Sequence, residues 1–228
     1  MSALAILHRD ERWVAVDKPS GWVVHHGMTR DAVACVDVLR EQLGAAVFPV
    51  HRLDRGTSGV LLFALSSDAA RAAQALFQSG EVTKRYWAIV RGRPPDDGFI
   101  DHPIPSDEAG PRVPAQTRFT RVATIELDAF ERRQAYSVVR AEPITGRFHQ
   151  VRRHLKHLGH PLIGDVNYGR GEHNRLWRER LGLHRLALHA ESLDLKDLRI
   201  EAPLAPELGA AWALALRYRR TDAMPPGG

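Results

Sequence analysis

The run Gly59-Val60-Leu61-Leu62-Phe63-Ala64-Leu65 has no polar side chain to turn toward water. It is short for a helix and too apolar for a half-exposed strand, so it reads as a buried strand. The run Val47 to Leu53, "VFPVHRL", reads the same way. The two bracket a charged loop in which Asp54 sits between Arg52 and Arg55 and is followed by Gly56-Thr57-Ser58-Gly59. One reading is a turn acid neutralised by its neighbours. The other is a reactive group, because loops held by rigid strands are where chemistry tends to sit. Nearby guanidinium groups favour an ionised carboxylate, and such a group can attack carbon or take a proton.

The other segments follow from the same reasoning. "WVAVDKPSGWVVHH" predicts strand, turn, strand, with Lys18-Pro19-Ser20-Gly21 as the turn. "DAVACVDVLREQLG" predicts a helix capped by Asp31 and stopped by Gly44, with Cys35 as an apolar helix position. "DAARAAQALFQSG" predicts a helix ending at Gly80. "KRYWAIVRG" sets Tyr86, Ala88 and Val90 against Trp87, Ile89 and Arg91, which is strand periodicity. "AQTRFTRVATIEL", "AYSVVRAEP" and "LALHAESLDL" read as strands, and "APELGAAWALALRYR" as a late helix. Strands mixed irregularly with helices argue for an α+β fold rather than a doubly wound sheet. A single domain over residues 1–228 is expected, with 222–228 as a disordered tail.

At 228 residues and 44% apolar composition the chain can bury a sizeable core. No apolar run approaches the ~18 residues that cross a bilayer. "MSALAILHRDERW" lacks the pattern of a secretory signal. A single cysteine forms no internal disulfide, and a cytoplasmic protein is the simplest reading. The net charge of +5, weighted toward arginine, suits a polyanion such as nucleic acid.

"TGRFHQVRRHLKHLG" predicts a helix ending at Gly159. At about 100° per residue, Phe148, Val151, Leu155 and Leu158 share an arc of about 80°. His149, Arg152, Arg153, Lys156 and His157 are read as the far side, a solvated face or a phosphate-binding one. Arg147, at the helix start on the border, is expected to point inward. His154, His157 and His160 are three apart among 12 histidines, but no H-E-x-x-H or paired cysteines support a metal site. P-loop, dinucleotide and nucleophile-elbow motifs are absent from the sequence.

Together these motifs resemble a known family. "HRLDRGTSG" resembles the catalytic H-R-L-D-x-x-T-S-G motif of the A-type family of large-ribosomal pseudouridine synthases. "KRYWAIVRG" resembles that family's K-x-Y-x-A strand, and "TGRFHQVRRHL" its G-R-x-H-Q-[IL]-R-x-H segment, with valine at the aliphatic position. "DERWVAVDKPSGWVVH", "HPLIGDVNYG" and "LHRLALHA" resemble further segments, in order, from about Asp10 to Ala190. "RRHLKHLGHPLIGD" with "EHNRLWRERLGLHRLALHA" resembles members that modify uridine 65 of transfer RNA.

The resemblance implies a pseudouridine synthase fold: a mainly antiparallel, bent mixed sheet with flanking helices and a central cleft. It implies Asp54 as the essential aspartate, Tyr86 as the residue that stacks on the base or assists proton removal from C5, and Arg147 as the partner of Asp54. Arg52 would flip the uridine, and Arg55, Lys84, Arg152, Arg153 and Lys156 would hold RNA. No cofactor or metal, no obligatory protein partner, no preceding S4-type domain and a monomer are expected. Two other classes fit less of the pattern: a non-catalytic RNA-binding protein and a glycoside hydrolase. The latter needs a second carboxylate, and Glu142, Asp165 and Glu191 carry no motif for one.

Overall fold

The computed structural model describes residues 3–26 and 32–217. In chain order the strands and helices are β1 (Ala5–Arg9), β2 (Trp13–Lys18), α1 (Cys35–Leu43), β3 (Phe48–Pro49), β4 (Ser58–Ala64), α2 (Ser67–Ser79), β5 (Val82–Arg91), β6 (Asp97–Asp101), β7 (Ile104–Pro105), β8 (Arg112–Val113), β9 (Gln116–Ala129), β10 (Arg132–Pro143), α3 (Gln150–His157), α4 (Gly171–Leu181), β11 (Leu188–Leu195), β12 (Leu198–Glu201) and α5 (Gly209–Arg217). Strand pairing is mostly antiparallel, so the α+β expectation holds. No described helix is long and apolar enough to cross a membrane.

The chain divides into two compact units. The first holds Met1–Arg85 and His189–Ala205. Here β4 lies between β2, antiparallel, and β11, parallel. All seven β4 residues are buried, six of them from the apolar run, whose last residue, Leu65, lies past the strand and is half-buried. Val60, Leu62 and Ala64 form one core with Trp13 and Ala15 of β2 and with Ala69 and Ala73 of α2. Gly59 has φ +106, and a Cβ there would stand 2.1 Å from the Ala190 carbonyl oxygen. Only glycine lets β4 and β11 approach this closely. Helix α2 begins where the Ser66 hydroxyl accepts from the Ala69 N–H and ends at Gly80, whose φ of 79 stops it.

The second unit holds Tyr86–Leu188 and Pro206–Gly228. The long β9–β10 hairpin pairs through β10 with β5 and through β9 with β6. Ala88 and Val90 of β5 enter a core with Phe119, Val139, Val151, Leu155 and Leu162, and Tyr86 packs partly against it. Tyr86, Ala88 and Val90 share one face as the sequence alternation implied, but the opposite face is covered too, with Ile89 buried.

Three local expectations need correction. Trp22 to His26 is not a second strand: Val23 makes only an isolated parallel bridge to Ala34, because Gly21 at φ 88 turns the chain and the Trp22 carbonyl is taken by Lys18. "VFPVHRL" pairs with β4 over Phe48–Pro49 only. There the His51 ring, not a backbone carbonyl, accepts the next N–H, from Leu62 at 3.0 Å. Helix α1 begins at Cys35 after Ala34, without a side-chain cap. The expected cap Asp31 lies outside the described residues, as does the tail 222–228.

Candidate active site

Asp54 opens a tight turn, its carbonyl accepting from the Thr57 N–H at 3.0 Å. The turn is bolted to the 18–22 loop. Gly21 N–H donates to the Arg55 carbonyl at 2.8 Å, Arg55 Nε to the Gly21 carbonyl at 3.1 Å, and Ser20 Oγ to the Gly56 carbonyl at 2.9 Å. Beneath lies Lys18, fully buried. Its Nζ reaches the carbonyls of Pro19 (2.9 Å), Trp22 (2.7 Å), Arg55 (3.3 Å) and Thr57 (2.8 Å). Charge-assisted bonds to several carbonyls from one point charge fix both loops together. At the exit of the turn, buried Ser58 bonds His189 Nδ1 at 2.8 Å. Asp54 is thus half-buried on a rigid turn, with Arg52 and Arg55 exposed beside it.

His51 enters the same loop. Its ring stacks on Phe77 with centroids 5.3 Å apart. Burial, then the charge of Lys84, pushes its pKa down to about 3. Burial likewise pulls Lys84 down to about 8. The folded state therefore holds His51 unprotonated while the unfolded chain protonates near 6.5. This contribution to stability is complete above about 6.5 and is lost as pH falls toward 3. Between pH 6.5 and 5 the loss should be on the order of 1–2 kcal/mol. His51→Gln, which can accept the same hydrogen bond without titrating, should lose less over that interval in urea unfolding. Equal losses in both proteins would remove His51 from the account.

Tyr86 and Arg147 belong to the second unit. Tyr86 lies opposite Ala141 in the β5–β10 ladder. Arg147 is not at a helix start. Helix α3 begins at Gln150, after His149 in the left-handed region at φ 53, and the Arg147 side chain is exposed. The reason is the buried Gln150 side chain. Its Oε1 accepts from Thr145 Oγ1 (2.7 Å) and the Arg147 N–H (3.0 Å), and its Nε2 donates to the Gln116 carbonyl (2.8 Å) and Thr117 Oγ1 (2.9 Å). These bonds hold Thr145 to Arg147 against β9 instead of in a helical turn. The Thr117 hydroxyl donates onward to His154 Nδ1 (2.9 Å), and His154 Nε2 donates to the His102 carbonyl (2.9 Å). Burial lowers the His154 pKa, in keeping with that neutral role.

The basic face needs the largest correction. Arg152 is buried, its Nε and Nη2 donating to both Asp165 oxygens at 2.8 and 2.9 Å. A guanidinium committed in this way is a structural bridge, not an exposed phosphate contact. Asp165 is likewise no free second carboxylate. Arg153 is half-buried and donates to Tyr168 Oη (2.9 Å), the Pro105 carbonyl (2.6 Å) and the Asp107 carbonyl (3.0 Å). Of the three cations only Lys156 stands out into solvent. The three histidines go separate ways: His154 bonds Thr117, His157 stacks on His102 with centroids 3.6 Å apart, and His160 Nδ1 donates to the Arg91 carbonyl at 2.9 Å.

Residues 12–157 match the family described as RNA pseudouridylate synthase. The chain is 41% identical over 230 residues to tRNA pseudouridine synthase C of Salmonella typhimurium, which covers 93% of this chain and 88% of that protein. The chain belongs to the RNA pseudouridylate synthase family. It is similar also to tRNA pseudouridine synthase C of Vibrio cholerae, at 39% identity over 90% of this chain and 91% of that one. Its likeness to the Pectobacterium carotovorum protein of the same name is 40% over 92% of this chain, which spans 59% of that longer relative. Among solved structures, human RNA pseudouridylate synthase domain containing 4 superposes with a TM-score of 0.74 at 28% identity, covering 95% and 94% of the two chains. Human domain containing 1 gives 0.73 at 25% identity, covering 95% and 88%. The family fold expected from the motifs is therefore this chain's fold, and the family's reaction makes the protein an isomerase.

Lys18, His51 and Gln150 are not singled out by the sequence, and Asp165 stands out only as an acid without a motif, although all four lie inside quoted motifs. Their sequence signal was a polar residue beside apolar runs, which reads as exposed until the carbonyls and hydroxyls around it are known.

Proposed function

We propose that this protein converts a uridine of transfer RNA, uridine 65, to pseudouridine. The observation that carries the reading is 41% identity over 93% of the chain to a tRNA pseudouridine synthase C. The ordered motifs around Asp54, Tyr86 and Arg147 support it. In the reaction the N1–C1′ bond breaks, the uracil turns, C5 bonds to C1′, and the C5 proton is lost as N1 gains one. Attack on C1′, attack on C6 and removal of a ribose proton all require the same carboxylate, which we assign to Asp54. Its turn, fixed by Lys18, supplies the rigid placement such chemistry needs. Arg147 is proposed to pair with Asp54, and Tyr86 to face the uracil.

A stacked base cannot reach such a group, so it is flipped out at a cost of a few kcal/mol. Arg52 is assigned that task, with Arg55, Lys84 and Lys156 on phosphates. We take the chain as one catalytic domain that works as a cytoplasmic monomer without cofactor.

The test is pseudouridine mapping in RNA from cells lacking the protein, beside the purified protein acting on an unmodified tRNA transcript. Loss of pseudouridine at position 65, restored in vitro, is expected. Loss only at a ribosomal RNA uridine or another tRNA position would move the substrate, and no loss anywhere would refute the reading.

A further inference from the structure

The segment 164–170, "GDVNYGR", forms a loop in which nearly every group is committed to holding its shape. Asp165 is buried and accepts from Arg152 and from the N–H groups of Asn167 (2.9 Å) and Tyr168 (3.0 Å). Asn174 clamps it from α4, its Oδ1 accepting from the Gly164 N–H at 2.8 Å and its Nδ2 donating to the Asp165 carbonyl at 3.0 Å. The Gly169 N–H donates to that carbonyl at 3.1 Å. A Cβ would lie 1.9 Å from the Arg185 carbonyl oxygen at Gly164 and 2.3 Å from the Asp165 carbonyl oxygen at Gly169. Tyr168 joins the loop to the segment after Arg147, through His149 Nδ1 at 3.1 Å, and to Arg153.

Two side chains take no part in this. Val166 is 86% exposed, the most exposed of the large hydrophobic residues described. Asn167 is exposed and contributes a backbone N–H, while its amide group bonds nothing among the described residues. Beside them Arg170 is exposed, with no ion-pair partner among the described residues. An apolar side chain, an amide that can both donate and accept, and an exposed cation lie within five consecutive residues of a loop whose other groups are hydrogen-bonded in place.

We infer that this loop is a preformed reader of the RNA substrate. Val166 packs on a ribose or base face, Asn167 hydrogen-bonds a base edge, and Arg170 meets a phosphate. The inference rests on the proposed function and adds the residues that select the RNA. Sequence-specific RNA recognition uses such apolar and amide contacts to bases that are not paired away, with phosphate contacts fixing the register. The rigidity matters because a loop already in its bound shape loses little entropy on binding.

The experiment uses the whole protein and an unmodified tRNA transcript that the wild type modifies. Val166→Ser should weaken binding about tenfold without changing its dependence on salt, because an apolar contact is lost and no counterion is released. Arg170→Gln should flatten the salt slope by about one. Asn167→Ala should weaken binding about tenfold, and across a set of single-nucleotide exchanges in the transcript that penalty should vanish at one position, the nucleotide Asn167 reads. These exposed changes should leave the melting temperature unaltered, which separates contact from folding. Val166→Ser and Asn167→Ala binding and turning over like wild type would overturn the reader role while leaving the enzyme assignment standing. A wild type that neither binds nor modifies tRNA would overturn both.

Discussion

Asp54→Asn should lower pseudouridine formation by about 10⁴-fold or more, the scale seen when the central group of a catalytic unit is removed. Transfer RNA should still bind within a few-fold of wild type. The substitution keeps the shape of the side chain and removes the charge. The turn should survive, because it is the Asp54 carbonyl, not the carboxylate, that accepts from Thr57, and Lys18 holds the neighbouring carbonyls of Arg55 and Thr57. The measurement is single-turnover formation of pseudouridine with enzyme in excess, beside a binding titration. Asp54→Ala, which cannot revert by deamidation, serves as the second variant. Turnover by the alanine protein within about tenfold of wild type would remove Asp54 from the chemistry. Loss of binding together with turnover in both variants would instead make Asp54 a determinant of RNA docking.

The parts of the fold that were legible in the sequence were those decided by neighbours in the chain. Seven apolar residues in a row leave no face for water, so β4 had to be buried. Alternation at Tyr86, Ala88 and Val90 marked a strand with these three on one core face, although Ile89 on the other face is buried as well. Gly44 and Gly80, at φ 62 and 79, ended α1 and α2 as glycine does when the chain must turn left-handed. What was hidden depended on partners far along the chain. Helix α4, "GEHNRLWRERL", buries His173, Leu176 and Trp177 beneath a polar exterior, too thin a stripe to announce a helix. The turn after Lys18 looked like an ordinary hairpin, because the four carbonyls that claim its ammonium include two from beyond residue 54. Arg147 looked like a helix start, because in sequence the Gln150 that holds it off the helix is indistinguishable from any other polar helix residue.

Arg152 shows the same limit with the larger consequence. It follows Phe148 by four residues and precedes Leu155 by three, so it lies on rows adjoining the apolar arc. Counting charges on the helix placed it with the solvated face, while Asp165, the group that draws it inward, is 13 residues away. Arg152→Met should therefore act on stability rather than on RNA contact. It leaves the buried Asp165 carboxylate without its guanidinium, which costs about 3–5 kcal/mol. At about 2–4 °C per kcal/mol for a chain of this size, the melting temperature should fall by roughly 6–20 °C. Replacing both residues, as Arg152→Met with Asp165→Leu, should not restore wild-type stability, because Asp165 also accepts from the Asn167 and Tyr168 N–H groups and these would lose their acceptor. Measured well below its melting temperature, the Arg152→Met protein should keep the wild-type salt slope in RNA binding. Lys156→Gln, removing an exposed cation, should flatten the slope by about one with little change in melting temperature. An Arg152→Met protein as stable as wild type but with a flatter salt slope would mean that Arg152 leaves Asp165 to meet phosphate when RNA binds.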